Sequence, residues 1–209
     1  MASGRDTYNQ VARGNWEPFL WLSAQERPRV TTLEQRVALL EAEQDVRDLL
    51  TRYAYAWDSR DIAGCVGLFA EDAVLITTRG TYEGRDAIRD NYEGMANGRG
   101  RGQGEGSVHR PVNVLVRVEG DLQQAWLTAY WHVAAQVRSL FGNYFMRLVN
   151  TAEGWRIADC RIAWDFYAKH ELPTEPYPVI DNAKGQPTSP ATAFDWTGRG
   201  GPERFRLGS

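Results

Sequence analysis

The sequence predicts an α+β fold: a strongly curved antiparallel sheet with helices covering its concave face. Three observations predict it. Apolar residues recur at helical spacing through residues 32–57, strand-like runs dominate residues 108–167, and those runs are joined by short turns. Helices first and strands later favour segregated layers over alternating βα units.

Residues 1–30 are polar and irregular apart from the patch "NWEPFLWL", and read as an arm that packs onto something. The run "VTTLEQRVALLEAEQDVRDLLTRYAYAW" follows Pro28-Arg29. Thr31 with Glu34 fits a capping box. Leu33, Val37, Leu40, Val46, Leu50, Tyr53 and Trp57 then form an apolar stripe, and neither Gly nor Pro interrupts residues 32–57. "DIAGCVGLFAEDA" reads as a short second helix with Asp61 as its N-cap. "AVLITTRGTYEG" reads as two short strands around a turn at Arg79-Gly80, and "GRDAIRDNYEGMA" as a third helix. "NGRGRGQGEG" is a glycine-rich loop expected to be mobile.

Four strands follow, over residues 108–118, 123–138, after Gly142, and 155–167, with turns at Gly120-Asp121 and Glu153-Gly154. Such short connections imply an antiparallel meander. From residue 169 the chain lacks periodicity and is rich in Pro, Gly, Thr and Asp, so it reads as an extended tail. The expected organisation is an arm at 1–30, one domain at 31–168 and a tail at 169–209.

Composition excludes several classes. The 209 residues are 43% hydrophobic and 24% charged, as in ordinary globular proteins. A net charge of −3 offers no basic field for nucleic acid or anionic lipid. No apolar run approaches the roughly 20 residues of a membrane span, and no signal-peptide pattern opens the chain, so a cytoplasmic location is expected. Cys65 and Cys160 lack metal-ligand spacing and read as reduced thiols. The glycine-rich loop lacks the Gly-Lys-Ser/Thr ending of a phosphate loop. No Gly-x-Ser-x-Gly elbow or HExxH occurs. No metal and no cofactor are expected. Eight Trp, nine Tyr and seven Phe serve either core packing or a pocket for a flat apolar small molecule.

Candidate chemistry centres on few residues. Asp58 ends the long helix in "RYAYAWDSRD", where a carboxylate sits badly with the helix dipole. Asp61 has the ordinary capping job. His109 starts a long strand beside the glycine-rich loop, a natural pocket mouth. His132 and Trp131 are adjacent on one strand, so only one of them faces the cavity. His170 opens the tail and reads as a surface residue. Tyr53 and Trp57 share one helix face, while Tyr55 lies nearly opposite Tyr53.

The pieces "LLTRYAYAWDSRDIAGCVGLFAEDAVL", "YEGRDAIRD", "HRPVNVLVRVEGDLQQAWLTAYWHVAA" and "NYFMRLVNTAEGWRIADCRIA" together resemble the SnoaL-like branch of the NTF2-like superfamily over residues 30–168. The resemblance implies an NTF2-like cone and runs closest to cofactor-free lyases: scytalone dehydratase, bile acid 7α-dehydratase, hexachlorocyclohexane dehydrochlorinase and sphingomonad diarylpropane lyases. It implies that Asp58 and His109 form an acid–base pair and that Tyr53 assists. The last-strand arginine of two of these enzymes falls near Cys160 or Trp164, not on Arg161. A middle-strand polar group falls near His132. In the family the C-terminal tail often closes the pocket and trimers are common, so the resemblance implies a homotrimer and a tail at 169–209 that serves as a lid or a subunit-swapping arm.

The function this implies is cofactor-independent elimination from a hydroxylated, aromatic, hydrophobic small molecule, releasing water or, from a lignin-derived diarylpropane, formaldehyde. Catalysis falls to Asp58, His109 and Tyr53; substrate contact falls to Tyr55, Trp57, Trp131, His132, Tyr144 and Trp164. Rival functions on this fold are a polyketide or steroid cyclase or isomerase, a non-catalytic binder, and a structural subunit like the small subunit of ring-hydroxylating dioxygenases.

Overall fold

The computed structural model describes residues 19–99, 108–135 and 138–169. They fall in the first of the two units into which the chain divides, Met1–His170 and Glu171–Ser209. Most of the predicted arm, residues 100–107 of the glycine-rich loop, His170 and the predicted tail beyond it lie outside the described residues.

The long helix α1 runs Leu33–Asp58 and starts one residue later than the sequence suggests. Its cap is Thr32, whose hydroxyl accepts from the Gln35 N–H at 3.2 Å, while the Gln35 side chain accepts from the N–H groups of both Thr31 and Thr32. Two capping boxes overlap in the sequence, and Thr32/Gln35 prevails over Thr31/Glu34. The stripe is also corrected. Leu33, Val37 and Leu40 are exposed, and the buried face begins at Leu39 and Ala42, then continues through Val46, Leu50, Tyr53 and Trp57. Arg27 pairs with the buried Glu43 at 2.9 Å, and Arg47 donates to the Val114 carbonyl at 2.7 Å, which ties α1 to the sheet.

Helix α2, Ile62–Gly67, is capped by Asp61, whose Oδ1 accepts from the Gly64 N–H at 2.8 Å. The helix expected to run on to Ala73 stops at Gly67, because Phe69 already pairs with Ile157 in the sheet. Strand β1 is Phe69–Thr77, β2 is Gly80–Glu83, and helix α3 is Arg85–Gly94, continued by a π-helical turn at Met95–Arg99. Then come β3, Val108–Val118; β4, Gln124–Ala135; β5, Arg138–Thr151; and β6, Gly154–Lys169.

The sheet order is β2-β1-β6-β5-β4-β3. Strands β3 to β6 form the expected antiparallel meander. Strand β1 joins β6 in parallel, so the sheet is not wholly antiparallel, and β2 and β3 remain its two open ends. Strand β5 starts before Gly142, not after it. The helix-facing side carries Ala125, Leu127, Ala129, Trp131 and Val133 of β4 against Leu140, Tyr144, Met146 and Leu148 of β5, all buried. The other side carries Trp126 and Phe145, with Trp21 of the 19–24 helical segment edge-on to both.

Candidate active site

Asp58 is the last residue of α1, and His109 is the second residue of β3. Their meeting is set by the packing of α1 across β3 and by pairing of His109 with Val133 of β4, which turns the imidazole to the helix-covered side. The Asp58 Oδ1 stands 2.5 Å from His109 Nδ1. The backbone N–H of His109 donates to the same carboxylate, at 2.9 Å to Oδ2 and 3.2 Å to Oδ1. Three contacts from one residue thus offset the unfavourable position of a carboxylate at a helix C-terminus. An ionised carboxylate only accepts, so Nδ1 carries the proton and Nε2 keeps its lone pair. Burial lowers the His109 pKa from its ordinary value of 6.5; the hydrogen bond and charge of Asp58 oppose that shift, and Arg60 adds to it. The imidazole is therefore neutral at pH 7.

His109 lines a pocket open to solvent, together with Tyr53, Trp57, Tyr92, Trp131, Tyr144 and Trp164. Asp58 stands behind His109 rather than in the pocket wall. Trp57 sits edge-on to the imidazole, with centroids 6.4 Å apart. The hydroxyls of Tyr53 and Tyr92 are 2.8 Å apart, so one donates to the other and the pair offers a single remaining proton. Burial pushes both hydroxyls, and that of Tyr144, well above the ordinary phenol value. These tyrosines are donors, not bases. Burial likewise lifts the Cys65 thiol to about 12, which keeps it an inert core group.

Six nominated residues thus meet in one pocket: Tyr53, Trp57, His109, Trp131, Tyr144 and Trp164. Two nominations for substrate contact do not hold. Tyr55 is 72% exposed on the opposite side of α1 from Tyr53. His132 points to the outer face of the sheet, where it stacks on Phe141 at 4.4 Å, because its strand neighbour Trp131 takes the inner face. Arg161 is exposed on the outer face, paired in register with Phe145, while Trp164 of the same strand reaches the pocket. Tyr92 and Arg79 were not nominated. Tyr92 was legible as the helical partner of Ile88, four residues earlier and also buried. Arg79 comes from the β1–β2 turn, which no local pattern aims at a cavity. Among the described residues no group of three His, Cys, Asp or Glu side chains gathers to hold a metal, and no helix is long and apolar enough to cross a membrane.

A curved, unclosed six-stranded sheet wrapped on helices, with a pocket between the layers, defines the NTF2-like class. The SnoaL-like domain model matches residues 38–161, more than half of the chain, and the chain belongs to that family. An NTF2-like protein with a cystatin-like fold from Novosphingobium aromaticivorans aligns at 25% identity and TM-score 0.54, covering 66% of this chain and 92% of that one. The hexachlorocyclohexane dehydrochlorinase LinA-type3 of Novosphingobium barchaimii LL02 aligns at 15% identity and TM-score 0.54, covering 68% and 99%. A candidate scytalone dehydratase of Novosphingobium aromaticivorans aligns at 17% identity and TM-score 0.53, covering 68% and 93%. At such identities the last two speak for the fold alone. No curated protein sequence matches the chain.

Proposed function

We propose that the protein is a cofactor-independent lyase acting on a hydroxylated, aromatic, hydrophobic small molecule. The observation that carries this reading is the His109–Asp58 pair, at 2.5 Å, with its imidazole in the wall of an aromatic pocket. A neutral imidazole whose tautomer is held by a carboxylate has the form of a general base. The proton on Nδ1 is held by Asp58, and Nε2 takes a proton from the substrate. The electron pair released forms the new double bond and expels the leaving oxygen. That oxygen accepts a hydrogen bond from the Tyr53–Tyr92 pair and departs as water after taking the proton now carried by His109 Nε2, which restores the neutral imidazole. Where the proton comes instead from the O–H of a hydroxymethyl group, that O–H pair forms the carbonyl of departing formaldehyde, and the pair of the broken carbon–carbon bond forms the double bond and expels the same leaving oxygen. Asp58 stabilises the imidazolium as it forms, more strongly in a pocket of low dielectric than in water. Trp57 and Trp164 give flat surface for an aromatic ring. The dehydrochlorinase and dehydratase names among the structural neighbours agree with elimination chemistry on this fold.

The test is turnover of a panel of hydroxylated aromatics and diarylpropanediols, followed by ultraviolet absorbance of the new conjugation. Asp58→Asn and His109→Ala are each expected to lower kcat by at least about a hundredfold, the usual scale for acid–base groups. Full activity of either folded variant defeats the mechanism. The functional form proposed with it is a homotrimer.

A further inference from the structure

The chain leaves α1 through a turn built for glycine. Ser59 closes the helix, the Arg60 N–H donates to the Trp57 carbonyl at 3.2 Å, and the Asp61 N–H donates to the Ala56 carbonyl at 2.8 Å. These two bonds are the Schellman pattern, in which the residue at the Arg60 position is left-handed and usually glycine. Arg60 adopts that conformation, with φ 63°. Glycine would do so without steric cost, whereas the Cβ of arginine meets the following carbonyl. What the larger residue adds is its side chain, whose guanidinium lies over the Trp57 ring, 5.6 Å from the centroid.

The same ring stands edge-on to the His109 imidazole. Trp57 thus touches both a fixed positive charge and the proposed base. Among the described residues, few other groups around His109 carry charge. Asp58 bonds the ring through Nδ1. Tyr53, Tyr92 and Tyr144 reach the pocket from α1, α3 and β5, and burial keeps all three protonated. Strand β4 offers Val133 and Trp131, which do not titrate. Arg110, the next residue on β3, points to the outer face beside His132. Arg79 lines the pocket from the β1–β2 turn, but the arginine whose charge acts on the imidazole is Arg60, against protonation, where Asp58 acts for it.

We infer that Arg60 is a positioning residue: it occupies a glycine position of the backbone, and its fixed cation, laid on Trp57, disfavours a second cation on the His109 base. The inference rests on the reading of His109 as that base. Asp58 by itself favours the imidazolium, and Arg60 joins burial in keeping the ring ready to accept a proton.

Nuclear magnetic resonance of the full chain can follow the His109 ring through pH without any substrate, its signals being those missing in His109→Ala. The wild-type midpoint should lie below 6.5. Arg60→Gln and Arg60→Gly should each raise it by roughly half a pH unit, as one charge several ångströms away at a high effective dielectric does. Arg60→Lys keeps the charge and should stay near the wild type. The acid limb of kcat/KM should follow the same order. Arg60→Gly should also melt above Arg60→Gln, because both lose the charge and only glycine suits φ 63°. A role in folding alone would move the melting points and leave the titration in place. A midpoint that is unmoved or lowered in Arg60→Gln, or raised as far in Arg60→Lys, overturns the inference and leaves the lyase reading standing. Arg60→Gly melting below Arg60→Gln overturns the glycine-position half of it. Absence of turnover across the substrate panel in the wild type strikes the lyase reading instead, and with it the part of His109 as base.

Discussion

At the scale of single residues, His109 is governed by two opposed effects. Burial disfavours its charged form and Asp58 favours it, and the net shift is downward from 6.5. The base form therefore persists below the pH at which a free histidine protonates. The acid limb of the kcat/KM profile is expected below pH 6.5, and Asp58→Asn should move it lower still, because both Asp58 contributions raise the pKa. An acid limb that rises above 6.5 in Asp58→Asn contradicts the pairing. The same shift bears on stability. The unfolded chain binds more protons than the folded one between 6.5 and the lowered value, so stability falls as pH drops through that window. Urea unfolding at stepped pH should show a shallower loss in His109→Gln than in the wild type. Asp58 and His109 were legible in the sequence because "YAWDSRD" and "HRPVNV" mark a helix end and a strand start. The choice between Trp131 and His132 was not. Alternation gives two faces, and only the packing of the whole sheet says which one is inside.

At the scale of elements, helix α1 shows how far periodicity carries. Its second half buries the expected residues, but Leu33, at 70% exposure, belongs to a stripe that never meets the core. The reason is phase: Leu40 is exposed between the buried Leu39 and Ala42, so Leu33, Val37 and Leu40 lie on a different face of the helix from Val46, Leu50, Tyr53 and Trp57. Leu50→Ala should cost about 2–5 kcal/mol of unfolding free energy, as buried leucines do. Leu33→Ala should cost less than about 0.5 kcal/mol. Equal losses in denaturant titrations would contradict the assignment of faces. The β3–β6 meander was legible from its turns, since Gly120-Asp121 and Glu153-Gly154 fix hairpin connections locally. The parallel pairing of β1 with β6 was not, because its partners lie about 85 residues apart in the chain and no turn announces them. The start of β5 was also missed. Gly142 reads as a strand break on propensity, yet it lies inside the strand because the Trp131 indole occupies the space a side chain would take.

At the scale of the molecule, every described group of the proposed mechanism, Asp58, His109 and the Tyr53–Tyr92 pair, comes from one chain. The proposed mechanism itself therefore calls on no group from a second copy. On the outer face of the sheet Trp21 covers Trp126 and Phe145, while Val112 on the open end strand β3 and Ile76 on β1 stay exposed near the His132–Phe141 stack. Apolar surface of this kind on a sheet suits burial against further copies. If the proposed homotrimer uses this face, light scattering behind size exclusion should give three chain masses for the wild type. Val112→Arg places a charge in that apolar contact, where leaving it unpaired is costly, and should shift the mass towards one chain. Because Val112 points away from the pocket, the monomeric variant should retain turnover. A wild type of one chain mass at micromolar concentrations rules out the trimer, and an unshifted Val112→Arg moves its contact surface off the sheet's outer face. A monomer without turnover would show instead that a neighbouring copy completes the site.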